Sequence, residues 1–188
     1  MKMLVINGHP YKGSYVSALF QNYLQNIEIN SHEVRTLVLG DEKFDPILRF
    51  GYSLKMEADD FIERSQKDIL WADHLVFFYS VWCGTMPALL QGWIDRVLMP
   101  GFAYNMKGLK TQKHLKGKTA ELFITADAPE WYIRYIPNSP IRLMRTHILG
   151  LCGIRVRRSH VLGMTTLKGN SKARIHFLTL VGKSAARL

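Results

Sequence analysis

Only two cysteines, Cys83 and Cys152, occur in 188 residues, and they stand far apart. Neither the close pair of a redox dithiol nor the clustered spacing of a zinc site is present, so both are expected as reduced thiols. The seven histidines form no pair at ligand spacing accompanied by a carboxylate, and no metal is expected. Long apolar runs are also missing. The most apolar stretch, Leu75 to Leu90, is broken by Ser80, Cys83, Gly84, Thr85 and Pro87, which argues against membrane insertion. The opening Met1 to Pro10 lacks the apolar core of a signal peptide, and a cytoplasmic location is the expectation. Acid is scarce in one half: residues 107–188 carry 16 Lys and Arg against three Asp and Glu, while residues 1–106 carry nine against 12. The resulting net charge of +10 suggests nucleic acid, an anionic membrane or an anionic small molecule. The basic residues lack the interleaved aromatic platform of a single-strand binder, and no nucleic-acid partner is expected.

What is present suffices for one core. With 47% hydrophobic and 21% charged residues, the chain is expected to fold, and residues 1–188 read as a single domain. Apolar runs at Lys2–Asn7, His32–Leu39, Leu75–Tyr79, Lys118–Thr125 and Ile154–Leu162 predict five strands. Helical periodicity over Ser14–Leu24, Met56–Trp71, Met86–Leu98, Pro140–Leu151 and Ser171–Ala186 predicts the helices between and after them. Gly40–Lys55 reads as a long polar loop, and Met106–Lys118, with five lysines, as a basic surface excursion. Strands alternating with helices predict an α/β fold, a doubly wound five-stranded parallel sheet with helices on both faces. Ligands then belong at the carboxyl ends of the strands, in the loops after strands one, three and four.

The first of these loops, Gly8-His9-Pro10-Tyr11-Lys12-Gly13-Ser14-Tyr15, follows a strand and opens a helix. Free amides and the helix dipole favour an anion there, with Ser14 as cap and hydroxyl donor, His9 as ring donor and Lys12 as nearby charge. An ordinary capped turn would read the same way. The loop is neither the Gly-x-Gly-x-x-Gly fingerprint nor a Walker loop, which weighs against dinucleotide-fold dehydrogenases and P-loop NTPases.

The second loop runs Tyr79-Ser80-Val81-Trp82-Cys83-Gly84-Thr85-Met86-Pro87-Ala88-Leu89-Leu90-Gln91-Gly92-Trp93-Ile94-Asp95-Arg96-Val97-Leu98 and continues to Phe102-Ala103-Tyr104. This stretch resembles the flavodoxin-like NAD(P)H:quinone oxidoreductases of the DT-diaphorase type, with Ser80 and Cys83 standing where that family usually carries Pro and a second Trp. The Gly8-His9-Pro10 and Ser14-Tyr15 pieces look like the family's flavin-phosphate loop, with Val16 where Asn is frequent. Thr125-Ala126-Asp127-Ala128-Pro129-Glu130-Trp131-Tyr132 looks like the third loop of a bacterial branch.

The resemblance implies a flavin-dependent enzyme that moves a hydride from NAD(P)H through the flavin to a quinone or similar electrophile, with the two substrates alternating in one slot. It implies FMN, or FAD, held by His9, Ser14 and Tyr15 at the phosphate. Backbone amides of Val81, Trp82, Cys83 and Gly84 would serve one side of the flavin's pyrimidine edge, and those of Thr125, Ala126, Asp127 and Ala128 the other. Trp82, Phe102, Tyr104, Trp131 and Tyr132 are expected to wall the substrate slot. A homodimer with a shared site is implied, in which Tyr104 can serve the partner's flavin. The same superfamily also contains regulatory flavoproteins, such as ancillary subunits of potassium-efflux transporters. On this resemblance the Lys107–Lys118 excursion and Arg134, Arg142, Arg145, Arg155, Arg157 and Arg158 read as a cationic rim for flavin and NAD(P)H phosphates. Asp95-Arg96 reads as a structural ion pair, and Asp127 as a turn former.

Overall fold

The computed structural model describes residues 1–27, 31–54, 56–57 and 59–187. Met3 to Ile6 are wholly buried in β1 (Lys2–Asn7), and every residue but the last is buried in β3 (His74–Ser80). A strand covered on both faces needs a continuous apolar run rather than an alternating one, and these two have it. With β2 (Glu33–Val38), β6 (Thr119–Thr125) and β7 (Arg155–Leu162) they form an all-parallel sheet in the order β2-β1-β3-β6-β7. The order reverses between β1 and β3, which opens a crevice at their carboxyl ends.

One face of the sheet is covered by α1 (Tyr15–Asn26) and α7 (Ser171–Ala185), which bury Val16, Leu19, Phe20 and Val181 against Val5, Phe78 and Phe123. The other is covered by α2 (Asp60–Trp71), α3 (Ala88–Val97) and a helix spanning Pro140 to Cys152, over Leu4, Ile6, Phe77 and Leu122. Trp93 is fully buried in α3 and donates its indole N–H to Ser65 Oγ at 3.0 Å, a core role that satisfies its polar atom.

The expected helix over Met56–Trp71 begins later, at Asp60. Asp59 caps it by accepting the Ile62 amide at 2.9 Å, and Met56 and Glu57 lie outside the helix. Arg96, 4% exposed, holds the preceding loop by donating to the carbonyls of Asp45 (2.6 Å) and Glu57 (3.0 Å). The expected Asp95–Arg96 pairing is therefore replaced: Arg96 binds backbone carbonyls with Asp59 at 3.9 Å, and Asp95 accepts from Gln91.

Three features have no counterpart in the sequence reading. The basic excursion contains a hairpin, β4 (Tyr104–Lys107) and β5 (Lys110–Lys113), turned through Gly108 at φ 58°. A short helix α4 (Glu130–Tyr135) follows β6. The Pro140–Cys152 helix is regular only at its ends, α5 (Pro140–Arg142) and α6 (Gly150–Cys152); between them Leu143–Leu149 is π-helical. No helix among the described residues is long and apolar enough to cross a membrane, and no group of metal-binding side chains occurs among them.

Candidate functional site

The carboxyl end of β1 is organised by Asn7, which is 2% exposed. Its amide donates to Ser17 Oγ (3.0 Å) and its carbonyl oxygen accepts the His9 amide (3.1 Å). Ser17 Oγ bonds the Tyr11 carbonyl (3.2 Å), and Ser14 Oγ caps α1 by accepting the Ser17 amide (3.1 Å). The loop is thus tied to the helix it opens, while the amides of Tyr15 and Val16 in the first turn meet no acceptor among the described residues. Free amides at the positive end of a 12-residue helix are suited to an anion.

His9 adds a donor. Its Nδ1 accepts the Tyr11 amide (3.1 Å), which places the proton of the neutral ring on Nε2. Burial lowers its pKa from the ordinary value, which favours the neutral ring. Its edge meets the Trp82 ring with centroids 5.3 Å apart. Tyr15 donates its hydroxyl to the Arg174 carbonyl (2.5 Å), and the Arg174 guanidinium lies over the Tyr15 ring at 4.7 Å. Lys12, the charge expected near the loop, pairs with Asp41 at 2.9 Å.

The loop after β3 is a tight turn. Trp82 and Thr85 exchange two main-chain hydrogen bonds of 2.8 and 3.0 Å, with Cys83 at φ 48° and Gly84 at φ 81° between them. Two successive positive φ values define a type I′ turn, natural for Gly84 and strained for Cys83. Val81 donates to the Thr125 carbonyl (2.8 Å) and Trp82 to Thr85, so these two amides are committed internally. The amides of Cys83 and Gly84 meet no acceptor among the described residues and remain as donors. A similar division holds after β6. Ala126 donates to Leu162 (2.9 Å), whereas the amides of Asp127 and Ala128 are unengaged among the described residues. Asp127 accepts the Thr166 amide at 3.2 Å, which ties this loop to the one after β7 rather than forming the local turn expected of it.

His9, Ser14, Tyr15, Val81, Trp82, Thr125, Ala126 and Asp127 line one cleft of about 190 Å³, together with Val16, Ser80, Thr165 and Thr166. The last two come from the loop after β7, which the sequence reading left out. The signal was the turn-rich Gly163-Met-Thr-Thr following a strand. Gly163 is required there, because a Cβ would collide with the backbone of Ala128, Pro129 and Glu130.

The expected aromatic wall is not assembled within one chain. Trp82, 44% exposed, borders the cleft. Trp131 and Tyr132 meet edge to face on α4 and are exposed outside it. Phe102 lines a separate groove of about 680 Å³ with Tyr52, Leu54 and Met99, and Tyr104 belongs to the hairpin. The cationic rim is likewise redistributed. Arg134, Arg145, Arg157 and Arg158 gather in a cleft flanking the edge strand β7. Lys118 caps α2 through the carbonyls of Leu70 and Ala72 (2.8 and 2.5 Å), and Lys113 donates to Gly150 (2.6 Å). Arg142, beside Gly84, and Arg174, against Tyr15, stand near the ligand loops.

The chain is similar to several known proteins. A protein of Haemophilus influenzae named an uncharacterized NAD(P)H oxidoreductase is 31% identical over 129 residues, covering 66% of this chain and 64% of its own length. A rat protein named ribosyldihydronicotinamide dehydrogenase [quinone] is 34% identical over 93 residues, 49% of this chain and 40% of that protein. The chain spans about half the length of the curated relatives it matches. A crystal structure from Streptococcus mutans superposes with a TM-score of 0.86 at 27% identity, with all of both chains covered. Residues 1–176 match the family described as Flavodoxin-like fold, and the chain belongs to that family.

Proposed function

We propose that the chain is a flavin-dependent NAD(P)H oxidoreductase reducing quinones or similar electrophiles. One observation carries this: the first turn of α1, with its unengaged amides, lines one cleft with Trp82, and the unengaged Cys83 and Gly84 amides sit in the turn that Trp82 opens, although Cys83 and Gly84 do not themselves line that cleft. These amides suit a ligand with an anionic end and a flat acceptor-bearing end, and FMN has both. When bound, the flavin supplies the hydride-accepting and hydride-donating centre.

The chain's own residues hold and polarise it. The Tyr15 and Val16 amides, Ser14 and the Nε2–H of His9 would bind the phosphate. The Cys83 and Gly84 amides, fixed by the turn, would point at the ring edge where negative charge develops, and those of Asp127 and Ala128 at the opposite side. Preset dipoles of this kind stabilise charge without reorganising. Gly84 has no side chain to obstruct the approach; it borders the neighbouring cleft, while Trp82 borders that of the α1 turn. Were one face of the bound ring left open, reductant and acceptor would bind there in turn. Phe102 and Tyr104, remote from their own chain's cleft, would serve the site of a second copy across the groove at Tyr52 and Leu54. The names of the relatives point to the same activity.

The test is an absorbance spectrum of the purified protein, followed by anaerobic addition of NADH and of NADPH. A yellow protein bleached by either nucleotide and recoloured by a quinone is the expected result. A colourless protein that neither FMN nor FAD turns yellow would overturn the reading.

A further inference from the structure

A second cleft opens on the far side of the Trp82–Thr85 turn. It measures about 500 Å³ and is lined by Gly84, Asn138, Arg142 and His147, with Leu143 and Pro137 as apolar walls. Ser139 also borders it, but its hydroxyl is committed to the Ile133 carbonyl at 2.7 Å. No carboxylate lines the cleft, so its charged and polar groups are a guanidinium, an imidazole and an amide.

The π-helical stretch explains why Arg142 and His147 share it. On an α-helix, residues five apart diverge by about 140° around the axis. With i→i+5 bonding, as between the Gly150 amide and the Arg145 carbonyl, five residues come close to one turn. His147 therefore returns to the side of Arg142, and both face the cleft. Rare π-helical geometry recurs at functional sites, and here it gathers two nitrogen-rich side chains that a regular helix would separate.

We infer that this cleft is a subsite for the 2′-phosphate of NADPH and makes NADPH the preferred reductant. The inference rests on the proposed oxidoreductase reading. On that reading the flavin phosphate sits at α1, in the cleft that Trp82 borders, and the basic cleft beside Gly84 is left for a different phosphorylated ligand. NADH and NADPH differ only in a phosphate monoester, which carries about −1.5 to −2 charges at neutral pH. A guanidinium fork binds such a group through paired hydrogen bonds, and the Asn138 side chain adds an amide donor. A pyrophosphate, common to both nucleotides, would produce no discrimination.

The test is calorimetric titration of the full-length protein with 2′,5′-ADP and with 5′-ADP, alongside kcat/KM for NADPH and NADH. The expected result is at least tenfold tighter binding of 2′,5′-ADP and a matching preference for NADPH. Arg142→Gln should reduce both ratios about tenfold through KM, and His147→Gln should reduce them less. Lys183→Gln, a basic position on α7 remote from this cleft, should leave both ratios unchanged. Equal affinity for the two ligands, no measurable binding of either, or an Arg142→Gln effect that is the same for both would overturn the subsite. If 2′,5′-ADP binds preferentially and neither nucleotide bleaches the bound flavin, the subsite stands and the oxidoreductase reading fails.

Discussion

Glu121 and His160 lie on adjacent strands with Oε1 and Nε2 2.8 Å apart, and the same oxygen accepts the Ser184 hydroxyl at 2.8 Å. Glu121 is 2% exposed. Desolvation acts to raise its pKa, but the hydrogen bonds from His160 and Ser184 and the nearby imidazoles outweigh it and hold the carboxyl below its ordinary value of 4.5. A depressed carboxylate pKa contributes stability above the unfolded value, and that stability is lost as pH falls through the folded one. His74, buried and shifted downward by desolvation, acts in the same direction from pH 6.5 downward, because the unfolded chain takes up the proton first. Thermal stability should therefore decline from about pH 6.5 and fall more steeply below pH 4.5. Glu121→Gln should cost about 1.5–3 kcal/mol at pH 7, with the gap to wild type closing in acid. A constant gap from pH 7 to pH 3 would contradict the assignment.

Cys83 occupies the left-handed region at φ 48°, where a β-carbon costs about 1–2 kcal/mol. Cys83→Gly removes that cost but loosens the unfolded chain, leaving a net gain of about 0.5–1 kcal/mol. Gly84→Ala, at φ 81°, should destabilise by about 1 kcal/mol although a Cβ there meets no neighbour, since its penalty is purely conformational. Melting curves read both changes. Two shifts of the same sign would mean that the turn is not of type I′.

How much of this could be read from the sequence depends on the range of the interaction. The five strands follow from local apolar runs, and Ser14 was recognisable as a cap because the cap contact spans three residues. That Lys12 pairs with Asp41 was not legible, because Asp41 belongs to a different loop brought near only by β2 pairing with β1. Lys118 and Lys113 read as surface charge, yet they close carbonyls of helices distant in the chain. Which amides of the Val81–Gly84 loop stay free depends on where the Thr125 and Thr85 carbonyls fall, and composition carries no trace of that. The π-helical stretch has ordinary helix formers, so nothing local in the sequence marks Arg142 and His147 as facing together.

Ser14 has two separable roles. Its hydroxyl caps α1, and the same position borders the cleft where an anion would sit. Ser14→Ala should cost about 0.5–2 kcal/mol in stability. Ser14→Asp preserves the cap, since Asp is an equally good N-cap, but sets a carboxylate against the phosphate. Its melting temperature should stay near wild type while its FMN dissociation constant rises more than tenfold in fluorescence titration. Unchanged FMN affinity in Ser14→Asp would move the phosphate away from α1.

The exposed apolar groove beside α2 and α3 provides the last test. Leu54 and Leu70 are 64% and 57% exposed and line it with Tyr52, Met56 and Phe102. An apolar surface of this kind is costly to leave in water, and a second copy would cover it while bringing Phe102 and Tyr104 to the neighbouring cleft. Wild type should sediment as a dimer at micromolar concentration. Leu54→Glu places a charge in the covered groove and should shift the species to monomer without loss of the folded circular-dichroism signal. Because the slot would then lack its partner aromatics, quinone reduction should fall with dimer content, while FMN, which the proposed site would hold with residues of one chain, should stay bound. A monomeric wild type with full activity would remove both the dimer and the shared aromatic wall.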